Sequence, residues 1–131
     1  YETVKVGEGI VAFITPEGRS GFQPGNSIAI LGEDGVLVFD TGNLPGVTRR
    51  QIAEIRKLTD KPVRYVVNSH WHPDHNLGNA EYRAAFPGVR IIGTAATRDG
   101  IVQAGDVVAV LAGDPGTSDK VVDVLRLVRV R

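Results

Sequence analysis

The sequence predicts one α/β (α+β) domain, in which a run of short strands is followed by helices that alternate with further strands. Hydrophobic residues make up 42% of the 131 residues and charged residues 23%, an ordinary balance for a single globular domain with a hydrophobic core. Short apolar runs rich in β-branched residues recur between glycines and prolines, and the segments between the later runs have helical spacing. We therefore treat residues 1–131 as one domain.

The first four strands are predicted from short apolar runs. Residues 4–6 and Ile10–Ile14 are β-branched and are interpreted as edge-like strands. Ser27–Leu31 and Val36–Phe39 flank a Gly-Glu-Asp-Gly turn at residues 32–35, and Asp-Gly between two such runs indicates a hairpin. Both of these strands are apolar on successive residues, so we expect burial on both faces of the sheet.

A surface helix is expected after the hairpin. Thr48 and Gln51 fit a capping box, Ile52, Ile55 and Leu58 form one apolar stripe, and Pro62 follows the predicted end. Residues 63–68 are apolar enough for a central strand. Open α/β sheets place their ligands at the carboxyl ends of such strands, so the segment that follows is a candidate site.

The rest of the chain continues the alternation. Residues 78–86 suggest a short helix, residues 89–92 a strand, and Thr94 caps a helix running to about residue 103. Residues 106–111 fit either a strand or a short helix. Residues 121–131 have a polar residue at every third position, a helical spacing, although their valine content favours a strand, and our interpretation leans towards helix.

All three histidines of the chain lie in one segment, His-Trp-His-Pro-Asp-His at residues 70–75. In an extended chain, residues 70, 72 and 74 point to the same side, and His75 can turn towards a second metal position. Imidazole and carboxylate are common ligands of divalent metals, and four such side chains in six residues suit a two-metal site. Trp71 is interpreted as a packing or rim residue.

The pattern His70-x-His72-x-Asp74-His75 resembles the signature of the metallo-β-lactamase superfamily of hydrolases. Upstream, Val-Phe-Asp-Thr-Gly at residues 38–42 resembles that family's first motif, a strand that ends in Asp. The resemblance implies a metallo-β-lactamase-like αβ/βα sandwich, of which 131 residues supply about the first half.

The resemblance also implies roles for individual residues. His70 and His72 would bind a first metal ion, Asp74 and His75 would bind a second, and Asp40 would hold the histidine-bearing loop from the second shell. Two zinc ions are expected, with iron or manganese as alternatives. The implied activity is hydrolysis of an ester, thioester, lactone or amide-type bond of a small molecule by metal-activated water, with Asp74 as the catalytic residue that orients the water and accepts a proton.

Two features depart from the family pattern. Leu77 stands where the first of two glycines is usual, and no histidine follows His75, whereas the family adds a later His, a bridging Asp and a final His. Because the chain also starts at Tyr1 rather than Met, we expect the amino-terminal portion of a longer hydrolase, with an atypical tail at residues 105–131. The alternative is a truncated or non-catalytic metal-binding or interaction domain with the same fold.

The charge and the composition of the chain limit the binding partners and the kinds of site that we expect. Fifteen basic and 15 acidic residues give a net charge of zero, so no nucleic acid or membrane partner is expected, and a nucleic-acid-processing member of the family is disfavoured. Cysteine is absent, which excludes disulfides and thiolate ligands and leaves cytoplasm and periplasm both open. A half-domain on its own would expose an apolar sheet face, so the isolated chain is expected to form a homodimer or to aggregate.

Overall fold

A computed structural model describes residues 1–15, 25–95, 97, 107–112 and 124–129, and its strands form one sheet in chain order. The strands are β1 (Glu2–Gly7), β2 (Ile10–Ile14), β3 (Ser27–Leu31), β4 (Val36–Phe39), β5 (Val63–Val67), β6 (Arg90–Gly93), β7 (Val107–Ala112) and β8 (Val124–Arg129). The helices are α1 (Pro45–Leu58), α2 (Pro73–Asn76) and α3 (Asn79–Ala85). The α/β fold class is therefore confirmed.

The type of strand pairing changes twice along the sheet. Strands β1 to β4 pair antiparallel, β4 to β7 pair parallel, and β8 returns antiparallel to β7. Parallel neighbours need a crossover, and α1 supplies one between β4 and β5 while α2 and α3 lie between β5 and β6. The carboxyl ends of β4 and β5 therefore meet at one edge, where residues 40–43 and 68–78 come together.

One face of the sheet packs against α1 and α3 and forms the core. This core consists of apolar side chains from both layers: Val11, Phe13, Ala29, Val36, Val38, Ile52, Ile55, Val63, Val66, Tyr82 and Ile91. The predicted burial of β3 and β4 on both faces is wrong. Their residues alternate, and Ile28 and Ile30 on the outer face are 37% and 41% exposed, because α1 and α3 pack against the opposite face. Strand β2 is also internal rather than an edge, since it pairs with both β1 and β3.

Helix α1 begins three residues before the predicted capping box. Pro45 occupies its first turn, where its fixed φ and missing N–H cost nothing, and Leu44 precedes it without a side-chain cap. The hydroxyl of Thr48 is buried and donates to the carbonyl of Thr41 at 2.8 Å, so it joins the helix to the end of β4. The predicted stripe is correct for Ile52 and Ile55, whereas Leu58 is 48% exposed.

The later elements match with small shifts. Strand β5 is central, with parallel neighbours on both sides, and β6 starts one residue later than expected. Thr94 accepts a hydrogen bond from the Thr97 amide at 3.2 Å, as a cap would, and residues 96 and 98–103 of that predicted helix lie outside the described residues. No helix in the described part of the chain is both long and apolar enough to cross a bilayer.

The tail contains a strand pair. Residues 107–112 form strand β7, so the first of the two predicted alternatives is correct. The helix favoured for residues 121–131 is wrong, because Val124–Arg129 is strand β8. The backbone register runs from Val107 opposite Arg129 to Ala112 opposite Val124. Valine content, which favours a pleated strand, is a better guide here than the three-residue spacing of polar positions.

Candidate metal centre

The candidate centre lies on the loop that leaves the carboxyl end of β5. The extended conformation expected for residues 70–74 is wrong beyond His72, because Pro73 opens the short helix α2. Proline is suited to a first helical position, so the chain turns where alternation would have continued. Asp74 and His75 therefore lie on a helical turn rather than on an extended segment.

Asp40 connects this loop to the end of β4. Its buried carboxylate accepts hydrogen bonds from the Ser69 amide at 2.8 Å, the Ser69 hydroxyl at 2.7 Å and Nδ1 of His75 at 2.8 Å. Asp40 has φ of 58°, the left-handed region that Asp tolerates better than most residues. Three hydrogen bonds hold Asp40 in this uncommon conformation, which indicates that the surrounding structure constrains the residue.

The hydrogen bonds of Asp40 also orient two imidazole rings. The Ser69 hydroxyl donates its proton to Asp40, so its oxygen accepts from Nδ1–H of His70 at 2.9 Å. Nδ1–H of His75 donates directly to Asp40. In both rings Nε2 then faces away from this partner and towards another ligand-type side chain. A metal-binding histidine is oriented in the same way, through a partner on its other nitrogen.

The four ligand-type side chains approach one another as two pairs. Nε2 of His70 lies 3.0 Å from Nδ1 of His72, and Nε2 of His75 lies 3.0 Å from a carboxylate oxygen of Asp74. The rings of His70 and His75 are 4.0 Å apart between centroids, so the pairs are neighbours. No set of three or more His, Asp or Glu side chains in the described residues is arranged to hold a metal ion.

The donor pairs nevertheless fit zinc in chemistry and spacing. Two atoms bound to one tetrahedral zinc at about 2.0–2.1 Å lie roughly 3.3 Å apart, close to the 3.0 Å in each pair. The side chains of Asp74 and His75 are partly exposed, so an ion can reach them. Each pair supplies two donors, whereas a catalytic zinc site has three protein ligands and a structural one has four.

Residues beneath the loop carry polar contacts that the sequence analysis missed. The side chains of Thr41, Asn68, Asn76 and Asn79 are buried and hydrogen-bonded to one another or to loop carbonyls. Three asparagines within 12 positions, on both sides of the histidine motif, were a signal in the sequence. Asparagine is seldom buried unless its amide is paired, so this clustering indicates a polar scaffold.

Leu77 and Gly78 explain the departure from a double glycine. Leu77 has ordinary right-handed backbone angles and an exposed side chain, so this position does not require glycine. Gly78 is buried, and a Cβ there would overlap the carbonyl oxygen of Thr41 and approach the Thr48 hydroxyl to 2.5 Å. Only the second position therefore needs the small residue. Trp71 is 53% exposed beside His72, which agrees with a rim position.

A comparison with protein families finds one match over most of the chain. The model of the metallo-beta-lactamase superfamily matches residues 20–130. A linear primary-alkylsulfatase of Pseudomonas sp. (strain ATCC 19151) is 34% identical over 79 residues, which is 57% of this chain and 15% of that protein.

Solved structures give a consistent likeness of fold. A metallo-beta-lactamase from Erythrobacter litoralis superposes with a TM-score of 0.67 and 22% identity, covering 86% of this chain and 50% of that one. The metallo-beta-lactamase FIM-1 from Pseudomonas aeruginosa, in its mono-zinc form, gives a TM-score of 0.60 and 22% identity over 76% of this chain and 44% of that one. The chain spans about half the length of these structures.

Proposed function

Because the chain belongs to the metallo-beta-lactamase superfamily, we propose that it carries the metal-binding half of a metal-dependent hydrolase. His70 and His72 are assigned to a first zinc ion, and Asp74 and His75 to a second. One observation carries this assignment: there are two donor pairs, each 3.0 Å apart, and Asp40 orients Nε2 of His75 directly and Nε2 of His70 through Ser69. A mono-zinc form of one structural relative supports zinc as the metal.

The residues of the chain would divide the chemistry between them. A bound zinc ion supplies Lewis acidity and makes hydroxide available near neutral pH. The carboxylate of Asp74 would orient the attacking water and accept its proton, since it is partly exposed and lies next to His75. Asp40 would keep Nδ1 of His75 protonated as a donor, which leaves Nε2 for the metal.

The proposed substrates are small molecules with an ester, thioester, lactone or amide-type bond. The relative named as an alkylsulfatase adds a linear alkyl sulfate to the compounds worth testing. Exposed apolar side chains at the loop, Trp71 and Leu77, support an apolar group on the substrate. No histidine follows His75, so the further ligands of a complete family site are not later histidines of this chain.

Metal content tests the assignment first. Purified protein, stripped with chelator and titrated with zinc, should bind the metal, and His70→Ala, His72→Ala and His75→Ala should each weaken binding. The matched control is Arg50→Ala, a change of an exposed residue on α1. Elemental analysis that finds no zinc, iron or manganese, together with no binding on titration, would overturn the proposal.

A second candidate is a metal-binding domain without turnover. The described residues supply two pairs of donors rather than a group of three, which favours this reading for the chain by itself. Zinc-loaded protein should be assayed with ester, thioester, lactone, amide and alkyl sulfate substrates. Hydrolysis that is lost with chelator and in Asp74→Asn supports the hydrolase, whereas zinc binding without any hydrolysis supports the second candidate.

A further inference from the structure

We propose that the histidine loop, which carries residues 70–75, is held in shape before any metal binds. The support is a scaffold of three buried asparagines, Asn68, Asn76 and Asn79. The scaffold contacts the loop through backbone carbonyls and does not touch the ligand atoms. Its members are thus positioning residues for the centre. The part of this inference that concerns metal affinity rests on the proposed function, whereas the part that concerns loop structure does not.

Asn76 supports the first half of the loop. Its side-chain amide donates to the carbonyl of Trp71 at 2.6 Å and to the carbonyl of His72 at 2.7 Å. Asn76 is buried, so water is a poor substitute for these bonds. One side chain at the end of α2 therefore fixes the peptide units on both sides of the His72 Cα. The direction in which that ring leaves the chain depends on this backbone.

Asn68 and Asn79 support the second half. The Asn79 amide donates to Oδ1 of Asn68 at 2.8 Å, and the Asn68 amide donates to the carbonyl of His75 at 3.0 Å and to Oδ1 of Asn79 at 3.3 Å. The Thr41 hydroxyl donates to Oδ1 of Asn79 at 3.0 Å, and the Thr41 amide donates to the same His75 carbonyl at 2.9 Å. The backbone of His75 is thereby joined to β4 and β5.

None of these contacts uses a side-chain atom of a proposed metal ligand. Buried amides in a fully satisfied network make a rigid unit, because breaking one bond leaves another polar group unpaired. The carbonyls of Trp71, His72 and His75 are the points of attachment, and each belongs to a proposed ligand or its neighbour. The loop should therefore lose little conformational entropy when a metal ion binds, which favours metal affinity.

Amide hydrogen exchange of the metal-free protein tests loop structure directly. In the wild type, the amides of Thr41 and His75, which donate to loop carbonyls, should be protected. Asn76→Ala should raise exchange at His75, and Asn68→Ala at Thr41, by about tenfold or more relative to amides of β4 and β5. Ile55→Val serves as control, because it weakens the core without touching the loop.

Zinc titration of the same proteins gives the second readout. Asn76→Ala and Asn68→Ala should each lower zinc affinity about tenfold or more, as loss of outer contacts usually does, while Ile55→Val should not. If Asn76→Ala fails to fold, Asn76→Ser gives a milder change at the same position. The spectrum of bound Co²⁺ should also change in the asparagine variants, because the donors are no longer held in one arrangement.

The outcomes separate this inference from the proposed function. Unprotected loop amides in the metal-free wild type would overturn the inference, and so would equal exchange in the asparagine variants and Ile55→Val. Protected loop amides that depend on the asparagines would support it, even if the wild type bound no zinc. With that result the proposed function would be wrong, whereas the inference about the asparagine scaffold would still be supported.

Discussion

Nδ1 of His75 lies 2.8 Å from a carboxylate oxygen of Asp40, although 35 positions separate the two residues in the sequence. The contact exists because β4 and β5 are parallel neighbours, with Phe39 opposite Val67, so their carboxyl ends leave the sheet side by side. Asp40 begins the turn after one strand and His75 lies on the loop after the other. Much of the geometry of the candidate centre depends on this contact.

Replacing Asp40 should therefore weaken metal binding. In Asp40→Asn, an NH₂ group can replace the oxygen that accepts from Ser69 and His75. This NH₂ group would then face the Ser69 hydroxyl and Nδ1–H of His75, which are themselves donors. We expect zinc affinity to fall about 10- to 100-fold, the usual effect of losing a partner behind a histidine ligand. Competition with a chromophoric chelator measures this. Asp60→Asn removes the same charge at an exposed position, and equal affinities for the two variants would contradict the assigned role.

Gly78 should tolerate no larger residue. A methyl group there would meet the carbonyl oxygen of Thr41 and the Thr48 hydroxyl, both held by hydrogen bonds. Gly78→Ala should lower the free energy of unfolding by about 1–3 kcal/mol, as overpacking does. Urea unfolding gives the value. Gly88→Ala is the control, because a Cβ at Gly88 meets nothing within 4 Å. The prediction is wrong if both alanine variants unfold at the same urea concentration.

Tyr82 should make the fold sensitive to alkali. Its side chain is fully buried, its hydroxyl has no hydrogen-bond partner among the described residues, and burial raises its pKa above the ordinary 10.0. Above about pH 10 the unfolded chain releases this proton while the folded chain retains it, so stability falls by up to about 1.4 kcal/mol per pH unit.

Tyr82→Phe tests this effect in two ways. At neutral pH the variant should be as stable as the wild type or more stable, by up to about 1 kcal/mol, because an unpaired buried hydroxyl is removed. Above pH 10 its unfolding free energy should fall less steeply. Urea unfolding between pH 7 and pH 11 measures both. An identical alkaline slope in the two proteins would exclude Tyr82 as the cause.

The outer face of the sheet should drive self-association of the 131-residue chain taken alone. Ile28 lies opposite Phe39, and Ile30 opposite Leu37, so these side chains form one apolar surface, of which Ile28, Ile30 and Phe39 are exposed. Contiguous exposed apolar surface favours association. Light scattering should show a dimer or larger species, and Ile28→Lys with Ile30→Lys should shift it to monomer. Leu58→Lys, on the helical side, should have no such effect, and a wild-type monomer would refute the prediction.

Local sequence was a good guide to most of the elements. The strands from Ile10–Ile14 to Val36–Phe39 were predicted at their observed bounds, because alternating or continuous apolar runs between turn residues are local signals. The start of α1 was misplaced because the prediction relied on the capping box at Thr48 and took no account of Pro45. The helix begins at Pro45, and the Thr48 hydroxyl donates to the Thr41 carbonyl instead of capping the helix.

The sequence by itself determined the family resemblance and named the four candidate donors, because three His and one Asp at fixed spacing are a chemical pattern that needs no coordinates. Tertiary structure decided how those donors are oriented. The contact between His75 and Asp40, the support of His75 by Asn68, and the pairing of β8 with β7 all join segments that are distant in the chain or have ambiguous local preference. Such hydrogen bonds depend on which strands become neighbours, and that is a property of the packed sheet rather than of any one segment.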